Sequence, residues 1–180
     1  MKLTNMIRAL LLSLLLVSNL AAAASRAEID TDVQFALTAF YNLSPGNKDL
    51  ASKAAGILVF PSIIKAGFLV GGDYGEGALQ VAGKTVDYYS TAAISFGLQL
   101  GAQSRSEVIL FMEKDALENF RLHDGWAAGI DGSVAIIDSG AGKGVDTETF
   151  KDPVIAVIFS NKGLMGNLSL EGSKFSKIYR

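Results

Sequence analysis

The sequence of 180 residues contains no cysteine, a single tryptophan and a single histidine, His123. Without cysteine the chain can form neither disulfides nor thiolate metal ligands, so its stability must come from packing. One histidine also excludes histidine-based metal sites, and we expect His123 to be a solvated residue at the end of a helix. The sequence therefore predicts no metal and no cofactor.

Charge is scarce, since 19% of the residues are charged and the formal net charge is -2. Nucleic-acid binding depends on a basic face, so nucleic acid is excluded as a partner. Catalytic motifs are missing too, because no G-x-S-x-G elbow accompanies a Ser-His-Asp set. The run Gly140–Gly144 resembles a phosphate loop, but Ile137 stands where its first glycine belongs. We find no active site and predict a protein that is not an enzyme.

The N-terminus has the three regions of a secretory signal peptide. Lys2 and Arg8 form a basic region, and 9–17 is almost wholly apolar. Ala22 and Ala24 then supply an A-x-A pattern, which predicts cleavage after Ala24. The apolar run is shorter than the roughly 20 residues of a spanning helix, and an uncut N-terminal anchor remains the alternative.

This interpretation divides the chain into a signal peptide, 1–24, and one domain, 25–180. Cleavage would remove two positive charges, which changes the net charge from -2 to about -4. The expected location is the periplasm or the cell envelope.

Three stretches have helical patterns. Ser25 and Glu28 fit a capping box, and an apolar stripe follows at spacings of three and four: Ile29, Val33, Ala36, Leu37 and Phe40. This pattern favours packing on a sheet over a membrane-surface helix, because its polar side carries acids where membrane helices carry Lys or Arg. Ser44-Pro45 begins a second helix that ends near Gly56, and a third follows Asp115 and ends at Gly125.

The rest of the domain has strand patterns rich in glycine. An apolar run at 57–60 is stopped by Pro61, and a hairpin at 67–81 reverses at Gly75-Glu76-Gly77. Strict alternation at 94–103 predicts a strand that pairs in a hairpin with 108–112. Further strands are predicted at 133–138, 154–159 and 164–170, with a mobile loop at 139–152. The predicted fold class is α+β, a strongly twisted, mostly antiparallel, barrel- or sandwich-like sheet with two or three packed helices.

Five blocks resemble the SYLF-domain family in order and spacing: AGILVFP (55–61), KAGF (65–68), GGDYGEG (71–77), GLQLGAQ (97–103) and KGLMGNLSLEGS (162–173). Together they cover about 51–174. Eukaryotic members bind phosphoinositide-containing membranes and some bundle actin, while bacterial members are mostly exported and described as lipid-binding. The resemblance implies a non-enzymatic lipid-binding domain. Its actin activity is not carried over, because the N-terminal segment is acidic here (Glu28, Asp30, Asp32) where the family's is basic.

A phospholipid membrane surface is thus the expected partner, and an acidic chain needs local basic sites to dock on it. The candidate residues are Lys162, Leu164, Met165, Lys174, Lys177 and, as a second location, Lys65. Lysines there would contact phosphate while Leu164 and Met165 enter the lipid interface. The competing interpretation is that the lysines only keep the outer face soluble and Leu164 belongs to the core.

Two other function classes remain open. The small, polar face of 94–103 could line an internal cavity that carries an apolar ligand. Alternatively, exposed sheet edges could bind a protein partner in the cell envelope.

Overall fold

The computed structural model describes residues 24–68, 70–96, 101–139, 152–162, 170 and 172–180. Within them lie three helices, α1 (Arg26–Leu43), α2 (Pro45–Lys53) and α3 (Lys114–Leu122). The eight strands are β1 (Gly56–Phe68), β2 (Val70–Val81), β3 (Lys84–Phe96), β4 (Gly101–Phe111), β5 (Trp126–Ala127), β6 (Ala135–Asp138), β7 (Val154–Lys162) and β8 (Lys174–Ile178). The predicted α+β class is confirmed.

All eight strands form one sheet in the order β5-β8-β3-β2-β1-β4-β7-β6. Its pairs are antiparallel except β6 with β7, which run parallel. The sheet curls into a half-barrel, which matches the predicted twist. One face is therefore convex and the other concave. The concave face carries Phe60 of β1 and Phe175 of β8, because their ring centres lie only 5.6 Å apart although β2 and β3 lie between those strands.

Helix α1 begins as its sequence predicts. The Ser25 hydroxyl accepts from the Glu28 backbone N–H at 3.3 Å, and the Glu28 carboxylate accepts from the Ser25 N–H at 2.7 Å. The latter bond lowers the pKa of Glu28. The predicted apolar stripe is buried along its whole length, so α1 packs on the sheet as expected. Ser44 caps α2, with Pro45 at its first position.

Two hydrophobic cores lie on opposite faces of the sheet. On the convex face α1 and α2 pack on Val59, Ala78, Val108 and other apolar side chains. On the concave face the core is aromatic, and its rings are Phe60, Tyr89, Phe111, Phe120, Trp126 and Phe175. Helix α3 supplies Phe120, whose ring centre lies 4.8 Å from both Tyr89 and Phe111.

A predicted strand end at Pro61 and a predicted turn at Gly75–Gly77 are both wrong. Strand β1 does not stop at Pro61 but continues to Phe68. Pro61 lies in a bulge between Val59 and Ser62, where its missing N–H does not interrupt the pairing of the strand. Strand β2 runs straight through Gly75–Gly77, and the antiparallel pairing of β1 with β2 instead extends to Phe68 opposite Val70. Gly75 serves close packing rather than a turn, since a Cβ there would lie 2.8 Å from the Ser62 carbonyl oxygen.

The strand predicted at 94–103 is also wrong. Its first residues end β3 and its last residues begin β4, while 97–100 lie outside the described part. Strand β4 runs through the supposed turn at Ser104–Ser106 and pairs with β1 and β7. Because apolar and small residues alternate in the sequence from the end of β3 to the start of β4, periodicity alone does not show that these are two strands.

Most of β3 and all of β8 and β5 went unpredicted, whereas 135–138 and 154–159 are strands as expected. Gly125 lies two residues beyond the C-cap of α3, and the exposed His123 is that C-cap, as predicted. The loop expected at 139–152 and the strand expected at 164–170 fall almost wholly outside the described residues.

A line of irregularities crosses the centre of the sheet. The β1–β2 register shifts between Val59 and Ser62, and the β1–β4 register shifts between Phe60 and Ile63. In β7 the shift coincides with Ser160, whose φ is 54°. We call the part before this line the proximal half (56–60, 77–81, 84–89 and 107–111). The distal half comprises 62–68, 70–76, 90–96 and 101–106.

Candidate functional site

A single cross-strand row joins two of the candidate lysines. Paired residues run across the sheet in the order Lys174, Ala92, Tyr74, Ile64, Ser104 and Lys162. Residues opposite each other in neighbouring strands share one face of a sheet. The register therefore places Lys174 and Lys162 at the two ends of one row in the distal half.

The middle of this row and its neighbours form an exposed apolar surface. Ile64 is 55% exposed, Tyr74 52% and Ile94 75%, and Ala92 between them is exposed as well. These four residues are the open sheet face. Helices α1 and α2 cover the same convex side only in the proximal half. Three large exposed side chains side by side on a sheet are typical of an interaction surface.

A cleft of about 400 Å³ lies between α1 and the serine side chains of β1, β4 and β7, next to the open sheet face at Ser104, the row neighbour of Ile64. Phe35 of α1, 71% exposed, lines it together with Ser62 and Ser104. The two serine hydroxyls lie 3.0 Å apart. The cleft thus places a fourth large apolar side chain beside the open sheet face, across a polar gap.

The candidate lysines differ in their surroundings. Lys174 is exposed, whereas the Lys177 ammonium group forms an ion pair with Asp87. Asp87 also binds Arg121 at 3.1 Å. Lys65 is half-buried and follows Ile63 by two residues, which places it on the concave face of the sheet. The structure therefore groups Lys174 with Lys162 by register, and separates Lys65 and Lys177 from them.

Leu164 and Met165 lie outside the described residues, and for Lys162 the structure gives only its backbone pairing with Ser104. The proposed apolar tip beside Lys162 therefore stays a prediction. Sequence reasoning missed the open sheet face itself, because alternation predicts a buried position for Ile94 and no pattern singles out Ile64.

Two described carboxylates lie near the row: the exposed Asp32 of α1, which lines the cleft with Ser104, and Glu76, which is already paired. Glu76 forms an ion pair with Arg180, and its Oε1 accepts from the Tyr74 hydroxyl at 2.7 Å. Tyr74 is thereby held over the open sheet face. The negative charge of Glu76 is offset by Arg180, so it does not cancel the charge of Lys174.

Ionisable groups converge on the opposite, concave face of the sheet, where the distal half meets the proximal half. Arg105 Nη1 donates to Asp73 Oδ2 at 2.6 Å, and both side chains are less than a tenth exposed. Glu107, two residues along β4, is 0% exposed, and its Oε2 lies 3.8 Å from Arg105 Nε. Among the described residues, neither carboxyl oxygen of Glu107 has a hydrogen-bond partner. We call Asp73, Arg105 and Glu107 the buried triad.

Burial raises the pKa of Glu107 from 4.5 to about 7; Arg105 lowers it and Asp73 raises it further. A raised carboxyl pKa beside an arginine is an arrangement found in active sites. Here, however, a fully buried carboxyl group cannot touch a substrate. Alternation could have located the triad, because Arg105 and Glu107 are in phase with the buried Ile109 and Phe111.

The described residues contain no group of three or more metal-ligating side chains. In that same part of the chain, no helix combines the length and the apolar character needed to cross a bilayer.

Comparison with known proteins relates the second half of the chain to a family. Residues 92–178 fit the family model Ysc84, described as "Las17-binding protein actin regulator", while no curated protein matches the chain. The matched stretch begins in β3 and ends with β8, so it contains the Lys174 and Lys162 ends of the row. It also includes the blocks at 97–103 and 162–173 that resemble SYLF domains. This family is of lipid-binding and actin-regulator type. Over residues 92–178, just under half of its length, the chain therefore matches the Ysc84, or SYLF-domain, family model.

Proposed function

We propose that this protein is a non-enzymatic domain that docks reversibly on anionic phospholipid membranes through its open sheet face. One observation carries the proposal: exposed Ile64 and Tyr74 lie in a cross-strand row between Lys174 and Lys162. An apolar strip between cations complements a membrane surface, where acyl chains lie beneath anionic headgroups. The lipid-binding character of the family supports the same function.

The electrostatic attraction to the membrane in this proposal comes from individual lysines and not from the net charge of the protein. The net charge of -2 gives no general attraction to an anionic surface. Each basic residue near such a surface contributes about 1 kcal/mol, so two lysines supply only about 2 kcal/mol. Partial burial of Ile64 and Ile94 adds an apolar contribution, at about 25 cal/mol per Å². Both contributions are modest, so docking is reversible rather than a permanent anchor.

Export to the periplasm or cell envelope is part of the proposal. Lys2, Arg8 and the apolar run at 9–17 support it through their resemblance to a signal peptide. The family description names an actin regulator, but actin is not the partner we propose. The start of α1 is acidic, with Glu28 and Asp32 beside the partly buried Asp30, and an exported protein would not meet actin.

Co-sedimentation of the purified protein with vesicles tests the proposal. Ile64→Ser with Ile94→Ser should reduce binding to vesicles that contain anionic phospholipid, because both changes remove apolar contact. Ile130→Ser is the matched control, since Ile130 is 80% exposed near β5, and it should bind like the wild type. Binding should also weaken as salt rises and as the anionic lipid fraction falls.

Vesicle binding that is indifferent to both salt and anionic lipid would rule out the lysine-flanked surface. Loss of binding in the Ile130 control alone would place the docking surface near β5 instead. Binding to a protein partner in the envelope without vesicle binding would favour an interaction module.

A further inference from the structure

The buried triad has one cation for two carboxyl groups. The Arg105 guanidinium group donates to Asp73, and its Nε is 3.8 Å from Glu107, beyond hydrogen-bond distance. Within the described residues, both oxygens of Glu107 lack a donor. An isolated buried carboxylate is among the most unfavourable groups a core can hold, and it normally takes up a proton instead.

Within the part of the chain that the structure describes, the other elements packed on that face do not supply a second partner for Glu107. The buried side chains of β7 and α3 are apolar. On the concave face of the remaining described strands, the charged or titratable groups are Asp73 (β2), Lys65 (β1), Tyr89 and Asp87 (β3) and Lys177 (β8). Lys65 is in register with Asp73 and Gln103, whereas the register partner of Glu107 on β1 is Phe60. Burial raises the pKa of Tyr89 to about 12, so Tyr89 stays neutral, and Lys177 is paired with Asp87.

The position of Glu107 connects it with the line of irregularities. Glu107 pairs with Phe60, and the next β4 pairing beyond the shift joins Arg105 to Ile63. Ser106, between the two charged residues, donates to the Pro61 carbonyl oxygen at 2.7 Å. The triad therefore lies beneath the point where the proximal half meets the distal half.

We propose that Glu107 is a proton-binding latch, that is, a buried carboxyl group that must be protonated for the distal half to stay packed on the concave core. When the carboxyl group releases its proton to solvent, the distal half loosens at the bulges. The ionised carboxylate needs water or a second cation, and either requires the strands around it to open. This inference stands on the triad alone and does not depend on lipid binding.

The folded chain binds this proton more tightly than the unfolded chain, because the pKa of Glu107 is about 7 when folded against an ordinary 4.5. The stabilisation is therefore complete below about pH 4.5 and is lost as pH rises to about 7. From well below pH 4.5 to well above pH 7 the unfolding equilibrium constant attributable to Glu107 should rise about 300-fold, which is tenfold for each unit of the pKa difference.

Trp126 provides the readout, since it is the chain's one tryptophan. Its ring centre lies 5.9 Å from Phe175, which lies 5.6 Å from Phe60, the register partner of Glu107. Denaturant unfolding followed by Trp126 fluorescence from pH 5 to 8 should show the loss of stability in the wild type. Glu107→Gln should remove it, while Glu118→Gln, which neutralises an exposed carboxylate of α3, should keep it.

Parallel pH profiles of the wild type and Glu107→Gln would overturn the latch. Asp73→Asn is a second, independent variant: it leaves Arg105 free to pair with Glu107, so the loss of stability should move to lower pH. An unmoved profile in Asp73→Asn would also contradict the proposal, whether or not Glu107→Gln folds.

Discussion

The proximal and distal halves of the sheet are built from the same strands with the same antiparallel pairing, yet they are covered differently. In the proximal half α1 and α2 cover the convex face, and an aromatic core fills the concave face. In the distal half the convex face is open at Ile64 and Ile94, and the concave face buries charge. The distal half thus exposes apolar side chains and buries charged ones, which is the reverse of the usual arrangement.

This difference indicates separate tasks for the two halves. Stability comes from the proximal half, where complete burial of apolar side chains supplies the driving force for folding. The distal half gives up part of that stability, since it exposes apolar surface and buries charged groups. Such local departures from packing rules are expected where a protein binds something.

The largest expected effect is the loss of an aromatic ring from the proximal half. Phe120→Ala removes the ring that contacts Tyr89, Phe111, Trp126 and Phe175, and should lower the free energy of unfolding by about 3–5 kcal/mol. Ile94→Ser on the open sheet face should change it by less than about 0.5 kcal/mol. Denaturant titration measures both, and similar losses would erase the distinction between the halves.

Removing the cation of the buried triad should lower the free energy of unfolding by a similar amount. Arg105→Met leaves Asp73 charged, buried and unpaired, which should cost about 3 kcal/mol or more. The matched control is Arg121→Met, because Arg121 pairs with Asp87 at the surface and should cost less than about 1 kcal/mol. Equal thermal stability of the two variants would show that the triad is not buried as described.

A smaller effect is expected at the junction of the halves. Ser106→Ala removes the hydrogen bond to the Pro61 carbonyl oxygen and should cost about 1 kcal/mol. Ser52→Ala removes a similar bond on the exposed side of α2 and should cost less. Hydrogen exchange at 60–64 should quicken in the first variant only; unchanged exchange there would mean that Ser106 does not secure the bulge.

The smallest expected effect separates two lysines of the same strand. Lys174→Ala should weaken binding to anionic vesicles about fivefold, the equivalent of about 1 kcal/mol per basic residue. Lys177→Ala should weaken it less, because Asp87 already offsets the charge of Lys177. The reverse order in co-sedimentation would move the docking surface toward β8 and Asp87.

Local signals in the sequence predicted much of the proximal half. The capping box at Ser25 and the stripe from Ile29 to Phe40 specify α1 through contacts within a few residues. Pro61 and Gly75 misled the prediction, because their roles in a bulge and a close strand contact depend on the neighbouring strands. The distal half was harder still. No local signal shows that Ile64 is exposed, since pairing across the sheet and the extent of α1 decide its exposure. Burial of Arg105 could have been predicted, because it alternates in phase with the buried Ile109 and Phe111.

Hydrogen exchange of backbone amides with and without anionic vesicles tests the division of tasks most directly. Without vesicles, we expect 62–66, 71–76 and 90–94 to exchange faster than 56–60, 77–81 and 107–111. With vesicles, protection should increase in the first set and stay unchanged in α1 and α2. Equal exchange in both halves, or vesicle protection confined to α1 and α2, would contradict the account.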